Sequence, residues 1–162
     1  MRTPVVAGNW KMNGTRASVA ALVNAISEQL PEQPGADVIL CAPFPYIGQV
    51  AESVCSRDIR VGAQNVSEHS AGAFTGEVSA AMLVDFGCQY VIVGHSERRS
   101  LFAESEQCVA EKFVTAQANA LIPILCVGET LQQREAGQTL TVVASQLKAV
   151  LEKAGISSFT NA

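Results

Sequence analysis

His95 has the sequence setting that most strongly suggests chemistry. It follows an apolar run at residues 90–93, which is typical of a strand buried on both faces of a parallel sheet. Gly94 ends that run, Ser96 is placed to cap a following helix, and Glu97 adds negative charge to the first turn of that helix. The start of a helix disfavours an imidazolium, so we expect a neutral ring that donates a hydrogen bond and polarises a carbonyl.

Lys11 occupies a similar place, just beyond a first apolar run at residues 5–8 that we predict to be a strand. The pair Asn13-Gly14 marks a turn shortly after it. Taken alone, neither His95 nor Lys11 needs a chemical role. A histidine after a strand is more often structural, and a lysine in a loop is more often only solvated. The interpretation therefore depends on the other motifs of the chain.

The composition predicts one compact globular domain. The chain has 162 residues, of which 48% are hydrophobic and 16% are charged. Its net charge of -4 and the absence of a Lys/Arg run argue against nucleic-acid binding, although local charges could still bind a small anionic substrate.

The cysteines and the amino terminus indicate a cytoplasmic protein. Five cysteines form no C-x-x-C pair and are odd in number, so we interpret them as reduced packing residues. The segment Met1–Pro4 leads directly into the first predicted strand without a signal-type apolar region, and no stretch approaches the length of a membrane span.

Five apolar runs begin at residues 5, 38, 60, 90 and 122, at intervals of 33, 22, 30 and 32 residues. Helical apolar stripes follow the runs, including one with Val109, Phe113 and Ala116 after the fourth and one from Leu140 to Leu151 after the fifth run, 122–127. This alternation predicts an α/β fold with parallel strands. Eight such units in about 250 residues close a (β/α)8 barrel, so we expect residues 1–162 to form one partial-barrel domain, truncated at its carboxyl end. Its first and fifth strands would be unpaired edges.

Five motifs in order resemble the triosephosphate isomerase family and together span most of the chain: Gly8-Asn9-Trp10-Lys11-Met12-Asn13-Gly14, Gly62-Ala63-Gln64-Asn65, Gly72-Ala73-Phe74-Thr75-Gly76-Glu77, Gly94-His95-Ser96-Glu97-Arg98-Arg99 and Cys126-Val127-Gly128-Glu129. The resemblance implies a TIM-barrel fold and the interconversion of dihydroxyacetone phosphate and glyceraldehyde 3-phosphate through an enediol or enediolate. It places this reaction in glycolysis and gluconeogenesis, with a phosphorylated triose as substrate and without a metal or an organic cofactor.

The resemblance also implies roles for individual residues. Asn9 and Lys11 match substrate-binding positions, His95 matches the electrophile, and Glu97 matches a carboxylate that supports the lysine. In physical terms Lys11 presents a point charge to the substrate phosphate and the developing enediolate, while His95 hydrogen-bonds the substrate oxygens. Glu97 equally fits a simple first-turn helix charge.

Phe74 and Thr75 lie in the loop 72–76, which in this family reaches into a partner subunit. We therefore expect a homodimer with these two residues at its interface. An ordinary surface turn is the alternative interpretation of the same loop.

The catalytic base of the family is a glutamate after the sixth strand, and five predicted units do not include it. Glu129 corresponds to a different family position. We therefore expect the isolated 162-residue chain to be inactive as an isomerase. Two other classes remain open: an inactive barrel fragment that acts only as an assembly module, and a Schiff-base lyase or aldolase with Lys11 as nucleophile.

Overall fold

The computed structural model describes residues 3–31, 35–55 and 58–162, except for the side chain of Asn161. The interpretation of Met1 and Arg2 as the approach to the first strand lies outside these residues. Five strands form one parallel sheet in the order β1-β2-β3-β4-β5: β1 is Val5–Asn9, β2 Asp37–Ala42, β3 Ile59–Ala63, β4 Tyr90–Val93 and β5 Ile122–Leu125. The prediction of an α/β fold, consistent with a partial barrel, is confirmed.

Helices connect the consecutive strands of the described ranges. The α-helices are α1 Arg16–Gln29, α2 Ile47–Val54, α3 Ala80–Asp85, α4 Ser96–Leu101, α5 Glu106–Ala118, α6 Leu131–Glu135 and α7 Thr139–Ala154. Two short 3-10 helices, Phe44–Tyr46 and Ile156–Asn161, precede α2 and follow α7.

The alternation of side chains along the strands produces two apolar clusters. The larger cluster lies between the sheet and the helices, and it combines residues such as Val61 and Val91 with Val50 of α2 and Phe113 of α5. The smaller cluster contains Ile39, Cys41, Tyr90 and Ile92, with Ile122, Ile124 and Cys126 packed against it. All four residues of β4 are buried, which confirms that this strand is covered on both faces.

The outer strands of the sheet each have one neighbour among the described strands, because β1 pairs with β2 and β5 pairs with β4. Val6 on β1 is 60% exposed. A groove of about 810 Å³ runs beside β5 and is lined by residues that include Tyr90, Pro123 and Phe159. The edges predicted for the first and fifth strands are therefore present, and this groove does not include His95 or Lys11.

Three details of the sequence-based interpretation are wrong. The single helix expected after β4 is two helices, because Ala103 adopts a left-handed backbone with φ 53° between α4 and α5. The fifth strand ends at Leu125 and not at Val127, since the backbone of Gly128 is bonded to the side chain of Gln146. Leu140, expected in the apolar stripe of α7, is 84% exposed.

All five cysteines are free thiols. Burial raises the pKa of Cys41 to about 12 and has the same effect on Cys88. Thiols with such high pKa values carry little thiolate at neutral pH, which agrees with a packing role for these two residues. In the part of the chain that the structure describes, no helix has the length and apolar character needed to cross a membrane.

Gly62 provides a test of the packing against the smaller apolar cluster. A Cβ atom at this position would lie 2.6 Å from Cys41 Sγ and 3.1 Å from Ile39 Cγ2, and both neighbours are fully buried. We expect Gly62→Ala to lower the free energy of unfolding by about 1–3 kcal/mol in urea titrations, the usual range for overpacking. The strand glycine Gly8 is the matched control, since its added Cβ would have no neighbour nearer than 3.8 Å. Equal stability of the two alanine variants would contradict this account.

Candidate active site

His95 lies at the carboxyl edge of the sheet, directly after the turn at Gly94, whose φ is 70°. The expectation that Ser96 caps α4 is wrong, because His95 itself is the N-cap residue. The His95 ring takes this role because its Nδ1 accepts a hydrogen bond from the backbone N–H of Glu97 at 3.3 Å. An accepting Nδ1 carries no proton, so we assign the neutral tautomer with the proton on Nε2.

The carboxylate of Glu97 also approaches this ring. Glu97 Oε2 lies 3.6 Å from His95 Nδ1, which is outside hydrogen-bond distance, so the Glu97 backbone N–H is the partner of that nitrogen. The His95 side chain is 24% exposed and leaves Nε2 as its available donor. That His95 donates from Nε2 to a substrate stays a prediction.

Lys11 is held in a left-handed backbone conformation, with φ 54°. A non-glycine residue in this region costs of order 1–3 kcal/mol and needs support from its surroundings. The Lys11 backbone N–H donates to Asn9 Oδ1 at 3.0 Å, and the Lys11 carbonyl accepts from Gln64 Nε2 at 3.0 Å. Gln64 Nε2 also donates to the Cys41 carbonyl at 2.9 Å, which ties the Lys11 loop to the end of β2.

Glu97 joins the lysine and the histidine. Lys11 Nζ lies 2.6 Å from Glu97 Oε1, and the same glutamate donates its backbone N–H to His95. The hydrogen bond from Lys11 holds the pKa of the Glu97 carboxyl below its usual value. The structure thus brings together the four residues Asn9, Lys11, His95 and Glu97, while their roles in a reaction stay predictions.

Sequence reasoning assigned no role to two residues that shape this cluster. Gln64 bonds two carbonyls, as described above, and Arg99 donates from Nε to the Gly94 carbonyl at 2.7 Å and from Nη2 to the Cys126 carbonyl at 3.2 Å. Both residues lie within or beside the quoted motifs. Their partners are backbone carbonyls at distant positions, which residue spacing alone does not reveal.

A buried ionic network is centred on Glu104, in the connection between α4 and α5. Glu104 is 5% exposed and accepts hydrogen bonds from Arg98 and Lys112, each at 2.5 Å. Lys112 also donates to Asn65 Oδ1 at 2.9 Å. The network links the two helices α4 and α5 to the loop after β3, and sequence reasoning did not identify it.

Phe74 and Thr75 are exposed at the tip of the loop between β3 and α3, and the Phe74 side chain is 41% exposed. The Phe74 ring stacks on His69 with centroids 3.8 Å apart and an interplanar angle of 7°. The base of the loop is fixed by a hydrogen bond from Thr115 Oγ1 to the Glu68 carbonyl. Within the described residues, no hydrogen bond, ion pair or ring contact joins Phe74 or Thr75 to Lys11 or His95.

Glu129 does not join the cluster. Its carboxylate lies 3.4 Å from Arg134 Nε and accepts from Thr139 Oγ1 at 3.4 Å. Among the residues described by the structure, Glu97 is the one carboxylate with an oxygen within 4.0 Å of Lys11 Nζ or a His95 ring nitrogen. No uncommitted carboxylate is therefore in place beside the two electrophiles in these ranges.

Comparison with known proteins assigns this arrangement to a family. The sequence profile described as triosephosphate isomerase matches residues 4–162. The chain belongs to the triosephosphate isomerase family. Triosephosphate isomerase of Thiobacillus denitrificans is 57% identical over 162 residues, covering 100% of this chain and 64% of that protein.

Two further relatives named triosephosphate isomerase give the same result. The Methylococcus capsulatus protein is 52% identical over 162 residues, covering 100% of this chain and 64% of the relative. The Alcanivorax borkumensis protein is 50% identical over 161 residues, covering 99% and 64%. This chain thus spans about 64% of the length of these curated triosephosphate isomerases.

The Glu104 network predicts a pH dependence of stability. Burial raises the pKa of the Glu104 carboxyl, but the hydrogen bonds from Lys112 and Arg98 outweigh burial and hold the pKa below its usual value. A lowered folded-state pKa stabilises the protein above the unfolded-state value of about 4.3, and that stability is lost as the pH falls through the folded-state pKa. We expect Glu104→Gln to flatten the acid limb of unfolding free energy measured against pH.

Glu111 is the control for this experiment. It is also held below its usual pKa, chiefly by a hydrogen bond from Lys153, but this pair is exposed to solvent. Solvent screening makes such pairs weak, so Glu111→Gln should leave the acid limb close to wild type. An acid limb that is the same in wild type and Glu104→Gln would show that the buried network does not titrate as described.

Proposed function

We propose that this chain supplies the electrophilic part of a triosephosphate isomerase site. The observation that supports the proposal best is the cluster at the carboxyl edge of the sheet, where Glu97 contacts both Lys11 and His95. The carboxyl ends of the strands are also where TIM-barrel enzymes place their active sites. The substrate would be a phosphorylated triose, dihydroxyacetone phosphate or glyceraldehyde 3-phosphate.

The two electrophiles suit the charge that develops in this reaction. Removal of a proton next to a carbonyl places negative charge on the substrate oxygens, and preorganised donors stabilise that charge. His95 would provide an Nε2–H donor, and Lys11 would provide an ammonium group that binds the same Glu97. The family is itself a standard example of a neutral catalytic histidine at a helix start. Asn9 Oδ1 accepts a hydrogen bond from the Lys11 backbone N–H, and Asn9 completes the proposed substrate-binding pair.

The general base would come from outside residues 1–162. Glu97 is bonded to Lys11, and Glu129 contacts Arg134 and Thr139, so neither carboxylate is free to take a substrate proton. His95 and Lys11 both act as donors in this proposal. We therefore infer that a polypeptide of residues 1–162 alone does not turn over triose phosphates, because general-base catalysis typically contributes about 10² to 10⁴ in rate.

The other two function classes receive no support from the geometry. A Schiff-base lyase needs a neutral lysine nucleophile, whereas Lys11 Nζ donates to a carboxylate at 2.6 Å. No contact within the described ranges favours an inactive assembly module over the isomerase.

The proposed chemistry uses side chains as electrophiles and requires no metal or organic cofactor. The free thiols agree with a reducing, cytoplasmic setting for glycolysis and gluconeogenesis.

The test joins residues 1–162 to the remaining carboxyl-terminal part of the Thiobacillus denitrificans relative and measures glyceraldehyde 3-phosphate turnover. We expect activity in the joined protein and only the buffer rate for residues 1–162. His95→Ala should lower kcat by roughly 10² to 10³, the usual effect of removing one preorganised donor.

Lys11→Ala and Lys148→Ala form a matched pair in the same assay. Lys148 is 73% exposed and pairs only with Glu152 on its own helix among the described residues, so its loss should leave the rate unchanged. Lys11→Ala should abolish most activity. An active protein that tolerates His95→Ala, or substantial turnover by residues 1–162 alone, would contradict the assigned roles.

We also propose that the loop 72–76 forms the interface of a homodimer and docks beside Lys11 and His95 of the second subunit. The support is an exposed phenylalanine that is already ordered by stacking on His69, which reduces the entropy lost on docking. A two-fold axis would place each loop against the equivalent region of its partner.

Charged replacements at Phe74 and Thr75 should weaken this dimer, because burial of an unpaired charge is costly. Sedimentation velocity should show a lower dimer fraction for Phe74→Asp/Thr75→Asp than for wild type at equal concentration. Leu140→Asp is the control, since Leu140 is 84% exposed at the start of α7. If the loop variant and wild type sediment alike, the loop is not the interface.

A further inference from the structure

The ladder between β4 and β5 opens at its carboxyl end. Its last paired residues are Val93 and Leu125, and the backbone N–H of Cys126 still donates to the Val93 carbonyl at 2.9 Å. Beyond this point the next carbonyls, those of Gly94 and Cys126, both accept from the side chain of Arg99 instead. One planar guanidinium therefore takes the place of the missing ladder bonds.

Gly94 has no room for a side chain because of this arrangement. A Cβ on Gly94 would lie 2.8 Å from Arg99 Nη2 and 2.8 Å from Val109 Cγ1. The φ of 70° also favours glycine at this position. A residue with this much backbone freedom does not fix the orientation of its own peptide groups. The peptide that links Gly94 to His95 needs an external contact to hold it.

We propose that Arg99 is a positioning residue for His95. Its Nε–H binds the Gly94 carbonyl, which belongs to the peptide that carries the His95 backbone nitrogen, and its Nη2–H binds the carbonyl of Cys126, the residue directly after β5. We call these two hydrogen bonds the Arg99 clamp. The clamp holds the turn at Gly94, and the turn sets the direction of the imidazole. In that direction Nδ1 accepts from the Glu97 backbone N–H. The importance of this clamp for turnover rests on the proposed function, but the clamp itself does not.

The charge of Arg99 suits this role. Burial lowers the pKa of its guanidinium, while the neighbouring carboxylates Glu106 and Glu104 favour the charged form, so the group remains a cation at neutral pH. Glu106 is held by Ser145, whose hydroxyl donates to its carboxylate at 2.9 Å. A lysine would keep the charge but lacks the rigid fork of donors that spans two carbonyls.

The first test uses residues 1–162 as they stand and reads the His95 ring by ¹⁵N NMR. Wild type should show the signature of one neutral tautomer, with a non-protonated Nδ1. Arg99→Ala should give averaged ring signals and hydrogen exchange at the Glu97 amide that is faster by about two- to tenfold, the factor that corresponds to one lost hydrogen bond of ordinary strength. Added ethylguanidinium should partly restore the wild-type ring signals.

Arg99→Lys and Val50→Ala complete the set. Arg99→Lys keeps a cation and a long side chain, so it tests the proposal even where the alanine variant does not fold. We expect its ring signals to lie between those of wild type and Arg99→Ala. Val50 is fully buried on α2, so its truncation should lower stability without changing the His95 signals. Wild-type ring signals in a folded Arg99→Ala, or the same change in Val50→Ala, would overturn the proposal.

The joined protein described above provides the catalytic readout. A misplaced imidazole should reduce kcat, by about 10²-fold where the displacement reaches 1 Å, with KM little changed. An inactive wild-type joined protein would refute the proposed function and leave the NMR result standing. An unchanged kcat in Arg99→Ala, measured in an active protein, would overturn the positioning role alone.

Discussion

The contact between Lys11 Nζ and Glu97 Oε1 joins the loop after β1 to the first turn of α4, across 86 residues of sequence. The parallel sheet makes this contact available, because β1 and β4 both end at the same edge. Glu97 can bind Lys11 only if the helix α4 begins where His95 caps it, and His95 can cap it only after the turn at Gly94. The side chains of the cluster therefore share one backbone segment, which runs from the turn at Gly94 into the first turn of α4.

Unusual backbone conformations in this unit coincide with side chains that stabilise them. Lys11 and Gly94 both have positive φ angles at the carboxyl edge of the sheet. Gln64 binds the carbonyl of the first, and Arg99 binds the carbonyl of the second. Long polar side chains thus provide the hydrogen bonds that the regular ladder no longer supplies once the strands separate. The strained backbone of Lys11 in particular needs such support.

The sequence predicted the parts of this structure that depend on local patterns. Apolar runs at βα spacing identified the five parallel strands, and the family motifs placed His95, Lys11, Glu97 and Asn9 together. It did not predict that His95 is the cap in place of Ser96, since a ring nitrogen and a hydroxyl both accept from a backbone N–H. The roles of Gln64 and Arg99 were missed because their carbonyl partners depend on the approach of strands in three dimensions.

The order of strands in the sheet is the order of strands in the chain. Each strand after the first pairs with the one synthesised immediately before it, through a connection of one βα unit. A nascent chain leaving the ribosome can therefore extend this sheet one unit at a time, without waiting for a distant partner. Such sequential contacts keep the entropy of loop closure low at every step. The topology makes this part of the fold suited to assembly during its own translation.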